Sequence, residues 1–262
     1  MKQDHTEETR CFWNRVADDW NTQVGDDGDS NRILSSDPVL WQFMGDVSGR
    51  TILDAGCGTG YLARKLHSRG AHVIGIDFSD EMIRVARSKD SRIDFHVDSC
   101  SELRTVNDGS VDVVIANYVL MDTPDLTGTM GAFYRVLHAG GIVVAVFSHP
   151  CFPQGRATVD NSDGGIAYQW SFPYFEQHKC VDPPWGHFSS EFIWFHRPLS
   201  DYWKAFVRAG FEVIDFEEPR ISKDRYHMAE NERKLHDSKS RPYSVAFKLK
   251  KREQNQGVQA TR

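Results

Sequence analysis

The chain has 262 residues, 40% of them hydrophobic, enough to bury one sizeable α/β core with decorations. Its formal net charge of -6 lacks the basic footprint of a protein that tracks phosphate backbones, so a small-molecule partner and no nucleic acid are expected. Five cysteines without CxxC spacing fit reduced thiols, and no run of about eighteen apolar residues reads as a membrane span, so a cytoplasmic protein is expected.

In chain order, Phe12, Val16, Trp20 and Val24 recur at helical spacing and predict one amphipathic helix over 7–24. GDDGDSNR breaks it, and Asp37-Pro38 supplies an N-cap and first-turn pair for a short helix through Met44. Strands then follow at 50–54, 72–77, 93–97, 111–116 and 141–147, with helices at 60–69, 79–89 and 127–138 between most of them. Such alternation builds a parallel sheet covered on both faces.

PLSDYWKAFVRAG and FEVIDF resume the pattern at 198–216, and YSVAFKLK supplies a last strand at 243–250. Between lies an insertion, 149–195, with eleven of the chain's 31 aromatics, too apolar for a solvated linker. It is either a satellite core on the sheet edge or a lid over a substrate pocket. The chain therefore divides into an N-terminal helical cover at 1–47, a core at 48–148 and 196–250, the insertion, and a polar tail at 251–262 expected to be disordered.

The stretch ILDAGCGTG at 52–60 ends a strand in an acid and a glycine turn. A dinucleotide fold wants G-x-G-x-x-G facing a pyrophosphate, whereas Gly56, Gly58 and Gly60 are spaced G-x-G-x-G and Tyr61 stands where the third glycine would be. Asp54 would be a poor neighbour for a pyrophosphate but a good one for a ligand carrying an ammonium and a sulfonium, which describes S-adenosylmethionine. The backbone of Gly56, Cys57, Gly58 and Gly60 would turn against that ligand.

Asp77 ends the next strand, where an acid can accept both hydrogen bonds of a ribose diol. Beside it, Phe78 and Met82 are candidates to cover the adenine, although Met82 also suits plain core. Asp98 is placed to meet the adenine amino group, with Ser99 and Cys100 alongside; its other reading is a turn or cap acid.

ILDAGCGTG, GIDFS, HVDSC, DVVIANYVLMD and RPLSDYWKAFVRAGF resemble the successive motifs of the class I S-adenosylmethionine-dependent methyltransferases, especially the small-molecule branch of ubiquinone and menaquinone biosynthesis. The resemblance covers about 48–148 and 196–250. It implies a Rossmann-like, mostly parallel seven-stranded sheet with the last strand antiparallel, and methyl transfer to an O, N or S atom of a small molecule. It also implies that Asn117 and Tyr118 line the seam between cofactor and acceptor, and that an N-terminal helix brings Trp13 and Trp20 over the cofactor. A monomer or homodimer is expected. A nucleic-acid methyltransferase and a non-catalytic S-adenosylmethionine-binding protein are the alternatives.

Asp182-Pro183-Pro184-Trp185 resembles the tetrapeptide with which amino-methyltransferases of nucleic acids hold an exocyclic amine, but that motif belongs at the end of the fourth strand, where this chain has NYVL. Cys151 follows the fifth strand, as in some RNA cytosine methyltransferases, without their second cysteine signature. The histidines and cysteines of the insertion lack zinc spacing, so no metal is expected. For an acceptor that must lose a proton, His149 at the end of the fifth strand is the first candidate base, followed by Tyr118 and Asp122. Within the insertion, Tyr168, Tyr174 and His187 are further polar groups for the acceptor.

Overall fold

The computed structural model describes residues 5–152, 157–159, 165–229 and 231–252; the expected disordered tail lies outside them from residue 253 onward. Five strands of the alternating region, β1 (Thr51–Ala55), β2 (His72–Asp77), β3 (Asp94–Val97), β4 (Val111–Asn117) and β5 (Leu137–Ser148), run parallel. The sheet is completed by β10 (Phe211–Glu217) and β11 (Ser244–Lys251), in the order β3-β2-β1-β4-β5-β11-β10. Only β11 runs antiparallel to its neighbours, as expected.

The central strands are near-continuous apolar runs because both faces are covered. On one face Ile52, Val113, Ile115 and Val144 pack with α3 (Asp37–Met44), α4 (Tyr61–Ser68) and α5 (Asp80–Lys89). On the other, Val114, Val143, Phe147 and Phe247 meet α6 (Leu126–Val136) and α7 (Leu199–Arg208) through Met130, Phe133, Tyr202 and Phe206.

The single helix expected at 7–24 is two, α1 (Thr6–Arg15) and α2 (Ala17–Val24), broken where Val16 leaves helical geometry at ψ 11°. The apolar stripe is continuous but its targets are not. Phe12 and Val16 pack against Phe188 and Phe192 of the insertion, whereas Val24 joins the cluster on the sheet. Asp37 is not a cap either. A π-helical turn, Arg32–Ser36, runs directly into α3, and the Asp37 carboxylate accepts from Tyr61 Oη at 3.0 Å and Lys65 Nζ at 3.3 Å.

The insertion forms two hairpins, β6 (Ala157–Val159) with β7 (Ile166–Tyr168) and β8 (His178–Asp182) with β9 (Phe192–His196). Its loop 183–190 is tied to the N-terminal helices: Asp19 Oδ2 accepts from the Ser189 N–H at 2.9 Å, and Gln23 Oε1 from the His187 N–H at 3.2 Å. The helices are tied in turn to α5, where Asn14 Nδ2 donates to Asp80 Oδ1 at 2.8 Å. A last helix, α8 (Glu232–Ser240), buries no residue and so left no apolar period in the sequence; Asn231 caps it by accepting from the Lys234 N–H. No described helix is long and apolar enough to cross a membrane.

Candidate active site

The parallel strands end on one edge, where their loops open a cleft. β1 delivers Asp54 and then the glycine turn. Gly56 and Gly58 hold φ of +68° and +53°, and a Cβ on Gly58 would lie 2.9 Å from Trp20 Nε1, so Trp20 closes directly on bare backbone. Gly60 serves packing instead: it does not line the cleft, and a Cβ there would meet Phe95 at 2.9 Å.

Asp77, at the end of β2, accepts from the Gly58 N–H at 3.0 Å through Oδ2 and from the Ser79 N–H at 2.9 Å through Oδ1. Burial pushes its carboxyl up to about 6, against these backbone donors. Asp54 is pushed up to about 7, first by burial and then by Asp77, and its Oδ2 has no partner. Asn117 donates through Nδ2 to Tyr61 Oη at 2.7 Å and leaves its Oδ1 unpartnered.

Cys57, Phe78, Met82, Ser99 and Cys100 line the same cleft, and Trp13 and Trp20 cover it. Asp98 does not line it. Its Oδ1 accepts from the Ser99 N–H and its Oδ2 from the Thr105 N–H and hydroxyl, all within 2.8 Å, so the carboxylate organises the 99–105 turn.

A second cavity of about 400 Å³ adjoins the cleft, walled by Trp185, Phe192, Trp194, Phe195 and Tyr202. Trp20, Arg32, Tyr118 and Asp122 line both spaces, so these four form the partition between them. Tyr118 holds φ +57°, a sparsely populated conformation for a side chain of its size. Its Oη is paired with Ser244 Oγ at 2.5 Å and burial pushes the phenol up to about 12, so it remains protonated near neutrality. Asp122 is 7% exposed, with an unpartnered Oδ1. Burial raises its carboxyl well above the ordinary range, opposed by Arg32 and Arg197.

His149 lines the second cavity, but both ring nitrogens are engaged. Nδ1 accepts from the Cys151 N–H at 3.2 Å, which leaves Nε2–H to donate to Glu218 Oε1 at 2.9 Å. Burial lowers its pKa, with Glu218 opposing. Tyr174 Oη is held by Cys151 Sγ and the Leu199 N–H, and neither Tyr174 nor His187 lines the cavity; the Tyr168 side chain lies outside the described residues. The Asp182–Trp185 tetrapeptide does line it, with Asp182 Oδ2 accepting from Trp194 Nε1 at 2.7 Å.

Arg32 was not foreseen. It stands in the loop treated as a helix breaker, and its only sequence signal is a lone cation among acids. The buried guanidinium donates to Asp29 Oδ2 at 2.9 Å and lies 4.8 Å from the Trp20 ring and 5.0 Å from the Tyr118 ring. Among the described residues it is the only Arg or Lys lining the cleft. No grouping of three His, Cys, Asp or Glu placed to hold a metal occurs among the described residues.

Unpartnered oxygens on Asp54, Asn117 and Asp122, a carboxylate with spare lone pairs at Asp77 and a bare glycine turn fit a ligand with an ammonium, a sulfonium and a ribose. Comparison with known proteins agrees. A family described as a methyltransferase domain matches residues 53–145. The demethylmenaquinone methyltransferase of Lactococcus lactis is 30% identical over 234 residues, covering 80% of this chain and 86% of that protein. A ubiquinone biosynthesis O-methyltransferase of Aromatoleum aromaticum is 34% identical over 101 residues, 37% of this chain and 43% of its own length. The crystal structure of an S-adenosylmethionine-dependent methyltransferase from Mesorhizobium loti shares the fold with a TM-score of 0.66 at 23% identity, over 81% of this chain and 96% of that one. The chain belongs to the small-molecule branch of the class I methyltransferases, enzymes whose cofactor is S-adenosylmethionine.

Proposed function

We propose that the enzyme moves the methyl group by in-line displacement to an O, N or S atom of a small molecule held in the aromatic cavity. The observation that carries this is the partition: Tyr118 and Asp122 face both the cofactor cleft and a separate 400 Å³ cavity, so a ligand on each side meets there. Asp77 holds the ribose diol, Asp54 the ammonium and Arg32 the carboxylate of the methionine moiety. Phe78, Met82 and Ser99 bound the adenosine, and Trp13 and Trp20 exclude water. The bound cofactor supplies a strongly electrophilic methyl group, so the chain's main task is positioning.

Asp122 Oδ1 is the proton acceptor best placed at the partition, because its lone pairs are unclaimed. His149 has no free lone pair unless the Cys151 contact opens. The relative from Lactococcus lactis is named for a quinone precursor, which fits an apolar, ring-shaped acceptor space.

The test is calorimetric binding of S-adenosylhomocysteine, followed by a screen of thiols, phenols, amines and imidazoles for its production. Absence of binding overturns the site. Binding without turnover on any acceptor class would make this a cofactor-binding protein. Labelled methyl should stay at background on bulk tRNA and DNA at low salt, where non-specific affinity is greatest; efficient labelling would move the acceptor to nucleic acid.

A further inference from the structure

The charges around the second cavity are unevenly committed. Among the described residues two cations line it, Arg32 and Arg197. Arg197 spends its guanidinium on the backbone, donating to the carbonyls of Leu120 at 3.2 Å, Thr123 at 2.6 Å and Pro124 at 3.0 Å. Arg32 is paired with Asp29 through Nη1, and its buried Nε, which has no partner, is left in the proposed site for the methionine carboxylate of the cofactor. The two imidazoles in the wall, His149 and His196, are both held down in pKa by burial and so remain neutral near pH 7. On the acidic side, Asp122 keeps an oxygen without a partner, and Asp182 stands in the opposite tetrapeptide.

From this balance we infer that the acceptor is an amine, a flat apolar body bearing a basic nitrogen that pairs with Asp122. The inference rests on the assignment of this cavity to the acceptor. A buried carboxyl oxygen without a donor is costly, and an N–H donor from a cationic ligand removes that cost and favours the ionised carboxylate. The surrounding rings favour the same charge, because aromatic faces attract cations. The protein already shows this at the partition, where the Trp20 and Tyr118 rings flank the Arg32 guanidinium. An anionic acceptor would meet Asp122 and Asp182, and among the described residues the cations at the wall are Arg197, spent on backbone carbonyls, and Arg32, shared between Asp29 and the cofactor side.

The chemistry balances. Burial favours the protonated Asp122 carboxyl in the free protein, so the entering ammonium first displaces that proton to solvent; Asp122 then takes one proton from the ammonium, which frees the nitrogen lone pair. The N–C bond then forms as the methyl carbon's bond to sulfur breaks, sulfur keeping that electron pair as a neutral thioether. The positive charge passes to the methylated nitrogen, and Asp122 later releases its proton to solvent. Because Asp122 lines both spaces, it lies beside the charge before and after transfer.

The experiment is calorimetry on the full chain saturated with S-adenosylhomocysteine, using three probes of one ring: 2-(1-naphthyl)ethylamine, 2-(1-naphthyl)ethanol and 1-naphthaleneacetate. The amine should bind at least tenfold more tightly than either analogue, and Asp122→Asn, with an unchanged circular dichroism spectrum, should erase that preference. Equal or better binding of the alcohol or the acid, no binding of the amine, or an amine affinity unaltered in Asp122→Asn would overturn the inference. Turnover of phenols or thiols with amines inert would sink the amine assignment alone, whereas failure to bind S-adenosylhomocysteine would remove the cofactor site beneath it.

Discussion

The Asp77 carboxylate accepts a hydrogen bond from the Gly58 N–H at 3.0 Å, tying the end of β2 to the turn that follows β1. One side chain thus shapes the glycine turn and keeps further lone pairs, which in the proposed site would accept from a diol. Asp77→Ala should weaken S-adenosylhomocysteine binding by about 1.5 to 3 kcal/mol, the range for hydrogen bonds to a charged group. Calorimetry on the folded variant checks this, and unchanged affinity would remove Asp77 from the site.

Gly58→Ala tests the close approach of Trp20. The new Cβ would sit 2.9 Å from Nε1, at a φ of +53°. The left-handed backbone alone costs about 1–2 kcal/mol with a Cβ. Thermal unfolding should fall by several degrees and cofactor binding should weaken as Trp20 is pushed off the turn. A variant with wild-type stability and affinity would show that the turn relaxes freely.

Stability and cofactor affinity should respond to pH in opposite senses. Asp54 rises from an ordinary 3.8 to about 7 in the fold, mainly through burial, so between those values the folded state holds the extra proton. Stability of the free protein from this group therefore decreases as pH rises from about 4 to 7 and levels off above. Asp77, pushed up to about 6, acts in the same direction. A ligand ammonium needs Asp54 ionised, so the thermal shift given by S-adenosylhomocysteine should be larger at pH 8 than at pH 6. A shift constant across that window would take Asp54 out of contact with the ligand.

The N-terminal helices and the insertion should close together over the cofactor. Phe12 and Trp13 pack on Phe192, while Asn14 and Ser79 join α1 to the start of α5, two residues past Asp77. Hydrogen exchange with S-adenosylhomocysteine should show protection rising over 7–24 and 178–196 as well as over the glycine turn. If only the turn responds, these segments are static packing.

The sheet was legible because buried parallel strands write themselves as apolar runs, as in VDVVIAN and GIVVAVFS, and because DAGCGTG cannot continue a strand. The break at Val16 was not, since the residues on both sides keep one helical period and only their separate packing targets divide them. Asp37 and Asp98 occupy positions that suit a cap and a ligand contact; which donors claim their oxygens depends on Tyr61 and Thr105, respectively. Arg32 was invisible because a charged residue in a polar loop carries no mark of burial. Its partner Asp29 is only three residues upstream, but the rings of Trp20 and Tyr118 that bury it reach it only through the fold.

The strand order has a consequence for how the molecule comes into being. β11 lies between β5 and β10 although it follows both in the chain, so β10 cannot dock until Ser244–Lys251 have been made. Glu8 likewise waits 171 residues for Lys179, roughly 10 to 30 s at ordinary synthesis rates. During that interval Phe12, Trp13 and Trp20 have no insertion to cover them, and the nascent N-terminal segment presents an aromatic stripe to whatever binds exposed apolar chain on the ribosome.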